Sequence, residues 1–496
     1  MRFGIVTSRP AEQAVREVLR EGGVSDFVVV ALPVPAISLL SASAIASILA
    51  SRKDLLSQLA SSDVVILPGT VRGDALEVSK VIGRPAFKGP RDLGELPIAL
   101  RYVSEGARLD TVRAADEVLG SVEPRISYSE AFRLGDVPVP QRGPPVLLVS
   151  EVGPEVSEAD APLIAKRYVK EGADIILVGA EGDTGPEELA RRVKVVRALG
   201  RPVIAEAPSK RHAEEALTAG ADGISVADYQ VNDVIDLLDP GVALVVGGDS
   251  VEGLKAIEEA LSARAKLIID PSLAVPPLGL APSVSRYLRA SAELRSPMLF
   301  SAANVTEEVE ADSAGVHALL SLMAVEVRAS AYLVVEETYK SIHGTSEARE
   351  ALRLASTAYA RRSSERGMFS RLLVLKQQLP PPPAQAEEGP RPELVDYVEP
   401  DVSTSEYVRI ALDHARGLMR VTLYRGGAAV GSLEGRHALS LSRALVRRFN
   451  VSAEHAAYIG YELAKAELSL KLGKTYVQDE QIIVPPWERN GNSNSC

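Results

Sequence analysis

The chain has 496 residues, of which 46% are hydrophobic and 24% charged, and this composition is typical of a globular protein rather than a disordered or fibrous one. Its net charge of −11, from 55 basic and 66 acidic side chains, provides no basic surface for a nucleic-acid backbone. The single cysteine, Cys496, excludes an internal disulfide and a cysteine-based metal cluster.

Residues 1–120 are predicted to form a small α/β domain with a parallel sheet, because apolar runs at 3–6, 27–31 and 64–67 alternate with helical stretches. The uncharged segment 27–50 is long enough to cross a membrane. Two prolines and four serines interrupt it, so we interpret it as a strand, a turn and a helix. The chain begins directly with a strand-like run, unlike a signal peptide, and we expect a cytoplasmic protein without membrane or nucleic-acid partners.

Two glycine-containing turns in this domain, at 68–74 and 87–92, are flanked by Arg and Lys. Such turns can hold an anion through backbone N–H groups. They fit equally well as simple turns with surface ion pairs, and the sequence leaves both interpretations open.

Residues 143–375 are predicted to form a TIM (β/α)8 barrel, because eight short β-rich runs recur with a helical pattern between them. Periodicity alone does not exclude a doubly wound sheet, although the region has neither a Gly-x-Gly-x-x-Gly turn nor a phosphate loop ending in Gly-Lys-Ser/Thr. The predicted strands are 146–149, 175–178, 203–205, 223–226, 243–246, 267–269, 298–301 and 332–335.

Polar residues follow every one of these runs, at the end of the barrel where TIM-barrel active sites lie. Among them are Glu151, Glu181, Glu206, Ser225 and Asp270. A single carboxylate after a strand is often a helix cap, but eight loops converge on one mouth. Crowded acceptors fit a metal or a ligand rich in N–H donors, such as a guanidine-like heterocycle. The sequence has no nucleophile motif, and its six histidines lack metal-ligand spacing.

Four segments of this region resemble successive strands of dihydropteroate synthase and of related pterin-binding barrels. They are 172–181, 201–206, 219–225 and 267–271, the last ending in Asp270-Pro271. The resemblance to synthases covers about residues 145–345. Over the whole chain, the sequence resembles an archaeal dihydropteroate synthase-related family in which such a barrel lies between an N-terminal and a small C-terminal domain.

The resemblance implies a reduced pterin as substrate or ligand and assigns positions for it. Asp270 occupies the place of the family's pterin-binding aspartate on strand six, and Glu206 that of the aspartate on strand three. Ser225 falls near the family's strand-four asparagine, and Ile204, Val226 and Phe300 are candidate apolar walls. Further candidate pterin-binding residues at the mouth are Glu181, Gly248 and Asn304.

The chain departs from synthases at the elements that handle diphosphate. Residues 150–155 replace the Asn-Val-Thr-Pro-Asp-Ser-Phe loop that helps organise Mg²⁺, and 301–308 replace the Ser-Arg-Lys after strand seven. Residues 336–340 replace the terminal Arg-His. Lys340, Lys210 and Arg211 are candidates for the missing cations or for binding a second substrate. Glu307 and Glu308 are candidate Mg²⁺ ligands, unless Thr306 caps a helix whose first turn contains them.

Residues 376–395 are predicted to be a proline-rich linker, and 396–486 a small α+β domain. In that domain Ser452 is expected to cap a helix that buries Ile459 and Leu463. We expect core packing and contacts with another subunit of a homo-oligomer, or with a protein partner, rather than a second active site.

Three functional hypotheses follow, and no catalytic residue is assigned in any of them. The first is a dihydropteroate synthase-like transferase of folate or methanopterin-type cofactor metabolism. The second is a methyltransferase that uses a methylated tetrahydropterin, and the third is a non-catalytic pterin carrier or scaffold. The resemblance to synthases favours the first hypothesis, whereas the acidic loop after strand seven favours the second.

Overall fold

The computed structural model describes residues 1–119, 126–181, 183–362, 364–365, 368, 370–376, 395 and 405–483. It divides into two compact units, Met1–Glu387 and Glu388–Cys496. All but the two end residues of the predicted linker 376–395 lie outside the described residues. No helix in the described part of the chain is long and apolar enough to cross a membrane.

The N-terminal part of the first unit is a four-stranded parallel sheet with helices on both faces, in the order β2-β1-β3-β4. One face packs Phe3 and Ile5 against Val15 and Leu19, and the other buries Val6. The predicted parallel α/β sandwich is therefore confirmed. Its strands are β1 (Phe3–Ser8), β2 (Phe27–Leu32), β3 (Val64–Leu67) and β4 (Ala86–Lys88). Its helices are α1 (Glu12–Glu21), α2 (Ala42–Ser51), α3 (Lys53–Leu59), α4 (Leu76–Ile82), α5 (Leu96–Ser104) and α6 (Ala115–Leu119), with 3-10 turns at Arg9–Ala11, Ile37–Leu39 and Leu93–Glu95.

The rest of the first unit contains eight parallel strands in the order β12-β11-β10-β9-β8-β7-β14-β13. A parallel bridge between Ile269 and Met298 closes the ring, which confirms the barrel over the doubly wound alternative. The strands are β7 (Leu147–Val152), β8 (Ile175–Val178), β9 (Val203–Glu206), β10 (Gly223–Ala227), β11 (Ala243–Gly247), β12 (Lys266–Asp270), β13 (Leu299–Phe300) and β14 (Ala331–Val335).

Helices follow the barrel strands and form the outer layer. They are α7 (Ala161–Glu171), α8 (Pro186–Arg197), α9 (Lys210–Thr218), α10 (Val231–Val234), α11 (Val251–Leu261), α12 (Leu280–Glu293), α13 (Ala303–Thr306), α14 (Ser313–Glu326) and α15 (Gly344–Arg361). Short 3-10 turns lie at Asp228–Gln230, Ile235–Leu237 and Tyr339–Ser341.

A hairpin of β5 (Glu130–Leu134) and β6 (Val137–Pro140) precedes the first barrel strand. Its residues Leu134 and Val139 pack in one cluster with the inward-facing apolar side chains of the barrel, including Val149 and Ile268. The lower part of the barrel is therefore a packed apolar core. The polar side chains inside the barrel lie at its carboxyl end, where the strands end.

The described part of the second unit contains a three-stranded antiparallel sheet and two helices, which agrees with the predicted α+β domain. Ser452 caps the helix Ala453–Lys471 as predicted, since its side chain accepts from the backbone N–H of His455 at 3.2 Å. Ile459 and Leu463 are fully buried against Val421 and Leu423. The elements are β15 (Glu406–Asp413), β16 (Leu418–Arg425), β17 (Ala428–Gly435), α16 (Ala438–Phe449) and α17 (Ala453–Lys471).

Candidate functional site at the barrel mouth

Alternation along the strands determines which polar side chains enter the barrel, because successive residues point to opposite faces. Val149, Ile204 and Ile268 belong to the inner core, so the residues two positions later also face inward. Those residues are Glu151, Glu206 and Asp270. By the same alternation, Ser301 lies inward after Leu299. Four polar side chains thus form a layer directly above the apolar core.

Asp270 is held by protein donors on only one of its two carboxylate oxygens. Its Oδ1 accepts from the hydroxyl of Tyr287 at 2.5 Å, the backbone N–H of Ser272 at 2.7 Å and the hydroxyl of Ser301 at 3.1 Å. Its Oδ2 accepts no hydrogen bond from any described residue. Burial raises the pKa of Asp270, while these donors act in the opposite direction. The second oxygen is therefore a fixed, open acceptor at the mouth.

The turn after Asp270 is itself held in place. Arg286, from α12, donates to the carbonyl oxygens of Pro271 and Ser272, both at 2.6 Å. Ser272 adopts a φ of 52°, a left-handed conformation that is uncommon for a residue with a side chain. The Asp-Pro-Ser segment is thus positioned by α12 rather than left free, as a preorganised binding site requires.

Glu206 and Glu151 form the acidic side of the same layer. Glu206 Oε2 accepts from the backbone N–H of Ala180 at 3.0 Å, and burial raises its pKa. The carboxyl group of Glu151 makes no hydrogen bond to any described residue. Burial, followed by repulsion from Glu206, Glu155 and Glu337, raises the pKa of Glu151 to about 8. Glu151 is therefore mostly protonated at neutral pH and can both donate and accept a proton.

Gly179 leaves space for the side chain of Glu151, and Arg192 supports the backbone beside it. A Cβ on Gly179 would lie 2.3 Å from Glu151 Oε1, so a larger residue here would displace this carboxyl group. Arg192, from α8, is fully buried and donates to the carbonyl oxygens of Gly179 at 3.1 Å and Val152 at 3.2 Å. Its positive charge opposes the rise in the pKa of Glu151. Sequence reasoning missed Arg192, because an arginine within a helix has the pattern of a surface residue.

The other predicted pterin-binding residues lie at strand ends with local roles. Asn304 is exposed, and its amide donates to the carbonyl oxygen of Leu273 at 2.9 Å. Glu181 is exposed, and its backbone N–H donates to the hydroxyl of Thr184 at 3.0 Å. The backbone N–H of Gly248 donates to the carbonyl oxygen of Asp270 at 3.0 Å. Ser225 pairs with Glu206 in the register of β9 and β10.

Two of the predicted apolar walls are wrong, since only Ile204 faces inward. Val226 packs in the outer layer with Val231 and Leu254. Phe300 stacks on Tyr332 with 5.9 Å between ring centroids, also outside the barrel. Both residues occupy the outward-facing positions of their strands.

The candidate cations are each paired with an acidic residue. Lys340 Nζ lies 3.2 Å from Glu310 and Lys210 Nζ lies 2.5 Å from Asp236. Arg211 forms an ion pair with Glu187. The structure thus holds these three charges in local ion pairs, two of them on the exposed start of α9.

Glu307 is engaged by the loop after β14, while Glu308 is exposed. Glu307 Oε2 accepts from the hydroxyl of Thr338 at 2.6 Å and from its backbone N–H at 3.2 Å. The predicted cap by Thr306 is wrong, because Thr306 lies at the end of α13 and its hydroxyl bonds the carbonyl oxygens of Ala302 and Ala303. Within the described residues, no group of three or more His, Cys, Asp or Glu is arranged to hold a metal ion.

Known proteins are similar to this chain in different regions. Residues 405–479 match the family model described as PterinBD-DUF4346. An uncharacterized protein of Methanocaldococcus jannaschii is 26% identical over 472 residues, covering 85% of this chain and 87% of its own length.

Among solved structures, the dihydropteroate synthase of Thermus thermophilus is 24% identical, with a TM-score of 0.37, and covers 47% of this chain and 100% of its own. The synthase of Burkholderia cenocepacia, solved with 7,8-dihydropteroate, is 17% identical with the same TM-score and covers 48% and 100% of the two chains.

The fold is a barrel with helices outside and a separate antiparallel sheet toward the C-terminus, the architecture expected from the sequence. The family match in the second unit and the archaeal relative, which is matched over most of both chains, support an archaeal dihydropteroate synthase-related family for this chain. The resemblance stated from the sequence is thereby confirmed.

Proposed function

We propose that the barrel mouth binds a reduced pterin and that the protein is a dihydropteroate synthase-like transferase. The observation that carries this proposal is the open Oδ2 of Asp270, fixed above the apolar core by bonds to the other oxygen. Glu206 provides a second open acceptor, since only its Oε2 has a partner among the described residues. A family model with a pterin-binding name matches residues 405–479, in the second unit, and supports a pterin as a ligand of this protein without locating its site.

The bonding pattern indicates how such a ring would be held. The pyrimidine edge of a pterin presents an amino group and a ring N–H, which are donors that match carboxylates. Asp270 Oδ1 already accepts three hydrogen bonds, so the pterin would bind Oδ2 alone. Glu206 Oε1 would accept the second hydrogen bond. The apolar core beneath, which includes Ile204, would contact the face of the ring.

Glu151 supplies the proton transfer that synthase chemistry needs. The nitrogen of an arylamine would attack the exocyclic methylene carbon of the pterin, the bond from that carbon to diphosphate would break, and the amine would lose a proton. A carboxyl group with a pKa of about 8 is suited to accept and return a proton near neutral pH. This role is proposed for Glu151 because it lies in the same inward-facing layer as Asp270 and Glu206.

The paired cations favour methyl transfer as a second candidate. Lys340, Lys210 and Arg211 each contact a carboxylate, whereas departing diphosphate requires free positive charge or a metal. A methylated tetrahydropterin has no diphosphate to release. In that reaction, protonated Glu151 would give its proton to the pterin nitrogen as the methyl group leaves for an acceptor.

Two assays separate these functions. The purified protein is incubated with a dihydropterin diphosphate and 4-aminobenzoate, or with a methylated tetrahydropterin and a thiol or corrinoid acceptor, and products are measured by mass spectrometry. The proposal expects turnover in the first assay that falls at least tenfold in Glu151→Gln. Turnover in the second assay alone would establish methyl transfer. Pterin binding without turnover in either assay would make the protein a carrier.

A further inference from the structure

The N-terminal domain contains a cavity of about 550 Å³ at the carboxyl ends of its strands. Its lining comes from the end of β1 and from the loops after β2, β3 and β4. In the strand order β2-β1-β3-β4, the chain leaves β1 toward one edge of the sheet and leaves β3 toward the other edge. The connections that follow these two adjacent strands therefore lie on opposite faces of the sheet. Ligands of open parallel sheets bind at such a topological switch point, outside the carboxyl ends of the strands. Topology and cavity thus coincide.

Two hydroxyl-bearing residues at the end of β1 line this cavity, and their side chains have no partner among the described residues. Thr7 and Ser8, the last residues of β1, are 3% and 4% exposed. Neither side chain forms a hydrogen bond with any residue that the structure describes. A hydroxyl group can both donate and accept a hydrogen bond, so each of these side chains can pair with a polar atom inside the cavity. These hydroxyls are therefore positioned to bind polar atoms of a ligand.

The remaining walls are mostly apolar, although Ser38, Thr70, Arg91 and Asp92 also line the cavity. Four prolines line the cavity, Pro10, Pro35, Pro68 and Pro90. Proline contributes a ring face and has no backbone N–H donor. A volume of this size is in the range of small-molecule sites, which are mostly apolar with a few fixed polar groups. The shape and chemistry fit one or two fused rings with polar atoms at one edge.

The electrostatics disfavour an anion. Lys88 is 1% exposed and donates to the carbonyl oxygen of Val71, so it fastens a turn rather than facing the cavity. Arg91 forms ion pairs with Asp116 and Glu117. The two glycine turns serve close packing, because a Cβ on Gly69 would lie 2.6 Å from the carbonyl oxygen of Gly89. The sequence-based interpretation as turns with ion pairs therefore fits better than an anion cradle.

We propose that this cavity is a second binding site, separate from the barrel mouth, for an uncharged nitrogen heterocycle of one or two rings whose polar edge contacts Thr7 and Ser8. The proposal does not depend on the chemistry at Asp270. It assigns the N-terminal domain a ligand-binding role rather than a purely structural one.

Ligand-observed NMR titrations of the full chain with indole, quinazoline, adenine and inorganic phosphate test this site. At least one heterocycle should bind, and Thr7→Val and Ser8→Ala should each weaken its binding about twofold to thirteenfold, the usual effect of one hydrogen bond. Ser47→Ala, which removes an exposed hydroxyl on α2, is the matched control and should leave the affinity unchanged. Asp270→Asn should also leave it unchanged.

Several outcomes would overturn the proposal. They are no binding of any of the three heterocycles at millimolar concentration, equal affinity in wild type and in both hydroxyl variants, or loss of binding in Asp270→Asn. Preferential binding of phosphate that both hydroxyl variants weaken would make the cavity an anion site instead. Thermal unfolding of each variant confirms that it is folded. If Thr7→Val does not fold, Ser8→Ala alone tests the proposal.

Discussion

The hydroxyl of Tyr287 donates a hydrogen bond of 2.5 Å to Oδ1 of Asp270, linking helix α12 to the end of strand β12. Tyr287 is fully buried and also contacts the carbonyl oxygen of Leu299 at 3.0 Å. One aromatic side chain thus connects the candidate ligand-binding carboxylate to the neighbouring strand. Burial raises the pKa of Asp270, and the hydrogen bonds from Tyr287, Ser272 and Ser301 lower it.

Tyr287→Phe is expected to lower the free energy of unfolding by about 1.5–3 kcal/mol at neutral pH, because a bond to a buried charged group is lost. This bond lowers the pKa of Asp270, so its removal raises that pKa further. The loss of stability should therefore shrink below the unfolded-state pKa of Asp, where the carboxyl group is protonated in both states. Urea unfolding at neutral and at acid pH measures both effects.

Tyr359→Phe is the matched control, since Tyr359 is 45% exposed on α15. It should change stability by less than about 0.5 kcal/mol. A pH-independent effect of Tyr287→Phe would show that only packing, and no bond to the carboxylate, is lost.

Glu151 should give the protein a characteristic loss of stability with rising pH. Its folded-state pKa of about 8 lies above its ordinary value of 4.5, so the folded state holds the proton more tightly. The stabilisation is complete below about pH 4.5 and is lost as the pH rises through about 8. Across that interval, stability should fall by up to about 1.4 kcal/mol per pH unit from this group.

Glu151→Gln should remove most of this slope, as measured by denaturant unfolding over a pH series. Glu259→Gln, on the exposed side of α11, should retain it. An identical slope in wild type and Glu151→Gln would contradict the raised pKa of Glu151.

The barrel strands could be predicted because each is a short run of apolar, often β-branched residues followed by a polar one. The eight predicted runs coincide with β7 to β14 to within a few residues at each end. The hairpin at 130–140 was missed, because alternating valine and proline in β6 does not have a strand pattern. Strand β4 was missed because it has three residues.

The site was predicted in part. Residues at strand ends could be inferred from the local sequence, whereas partners distant along the chain could not. Asp270 and Glu206 follow apolar runs, so their positions could be inferred from the sequence. Glu151 also stands at a strand end, and alternation from Val149 would have placed it inward. Tyr287 could not be inferred, because it reaches Asp270 from 17 residues further along the chain.

Binding of a divalent ion at the loop after β13 should depend on Glu308 more than on Glu307. Glu307 is held by Thr338, whereas Glu308 is exposed and can turn toward an ion. We therefore propose that synthase activity requires Mg²⁺ and that Glu308→Gln weakens Mg²⁺ binding more than Glu307→Gln does, with pterin affinity unchanged. Calorimetry with MgCl₂ measures this, and activity that persists in excess chelator would contradict it.

The first unit should fold without the second. Residues just before position 375 complete the first unit, since the backbone N–H of Arg371 donates to Glu350 at 3.1 Å and its guanidinium to the carbonyl oxygen of Asp116 at 3.0 Å. A chain ending at Leu375 keeps these contacts and should unfold cooperatively on heating. A second truncation before Arg371 should be less stable. An insoluble or molten product from the chain ending at Leu375 would mean that the two units share a core.

The most direct test of the account is calorimetric titration of a 7,8-dihydropterin into wild type and Asp270→Asn. The variant keeps the size of the side chain but removes the charge at the open Oδ2. The account predicts a loss of about 1.5–3 kcal/mol in binding free energy, which is about tenfold to 150-fold in affinity. Ser47→Ala should bind like wild type. Equal affinity of wild type and Asp270→Asn would contradict the assignment of the barrel mouth as a pterin site.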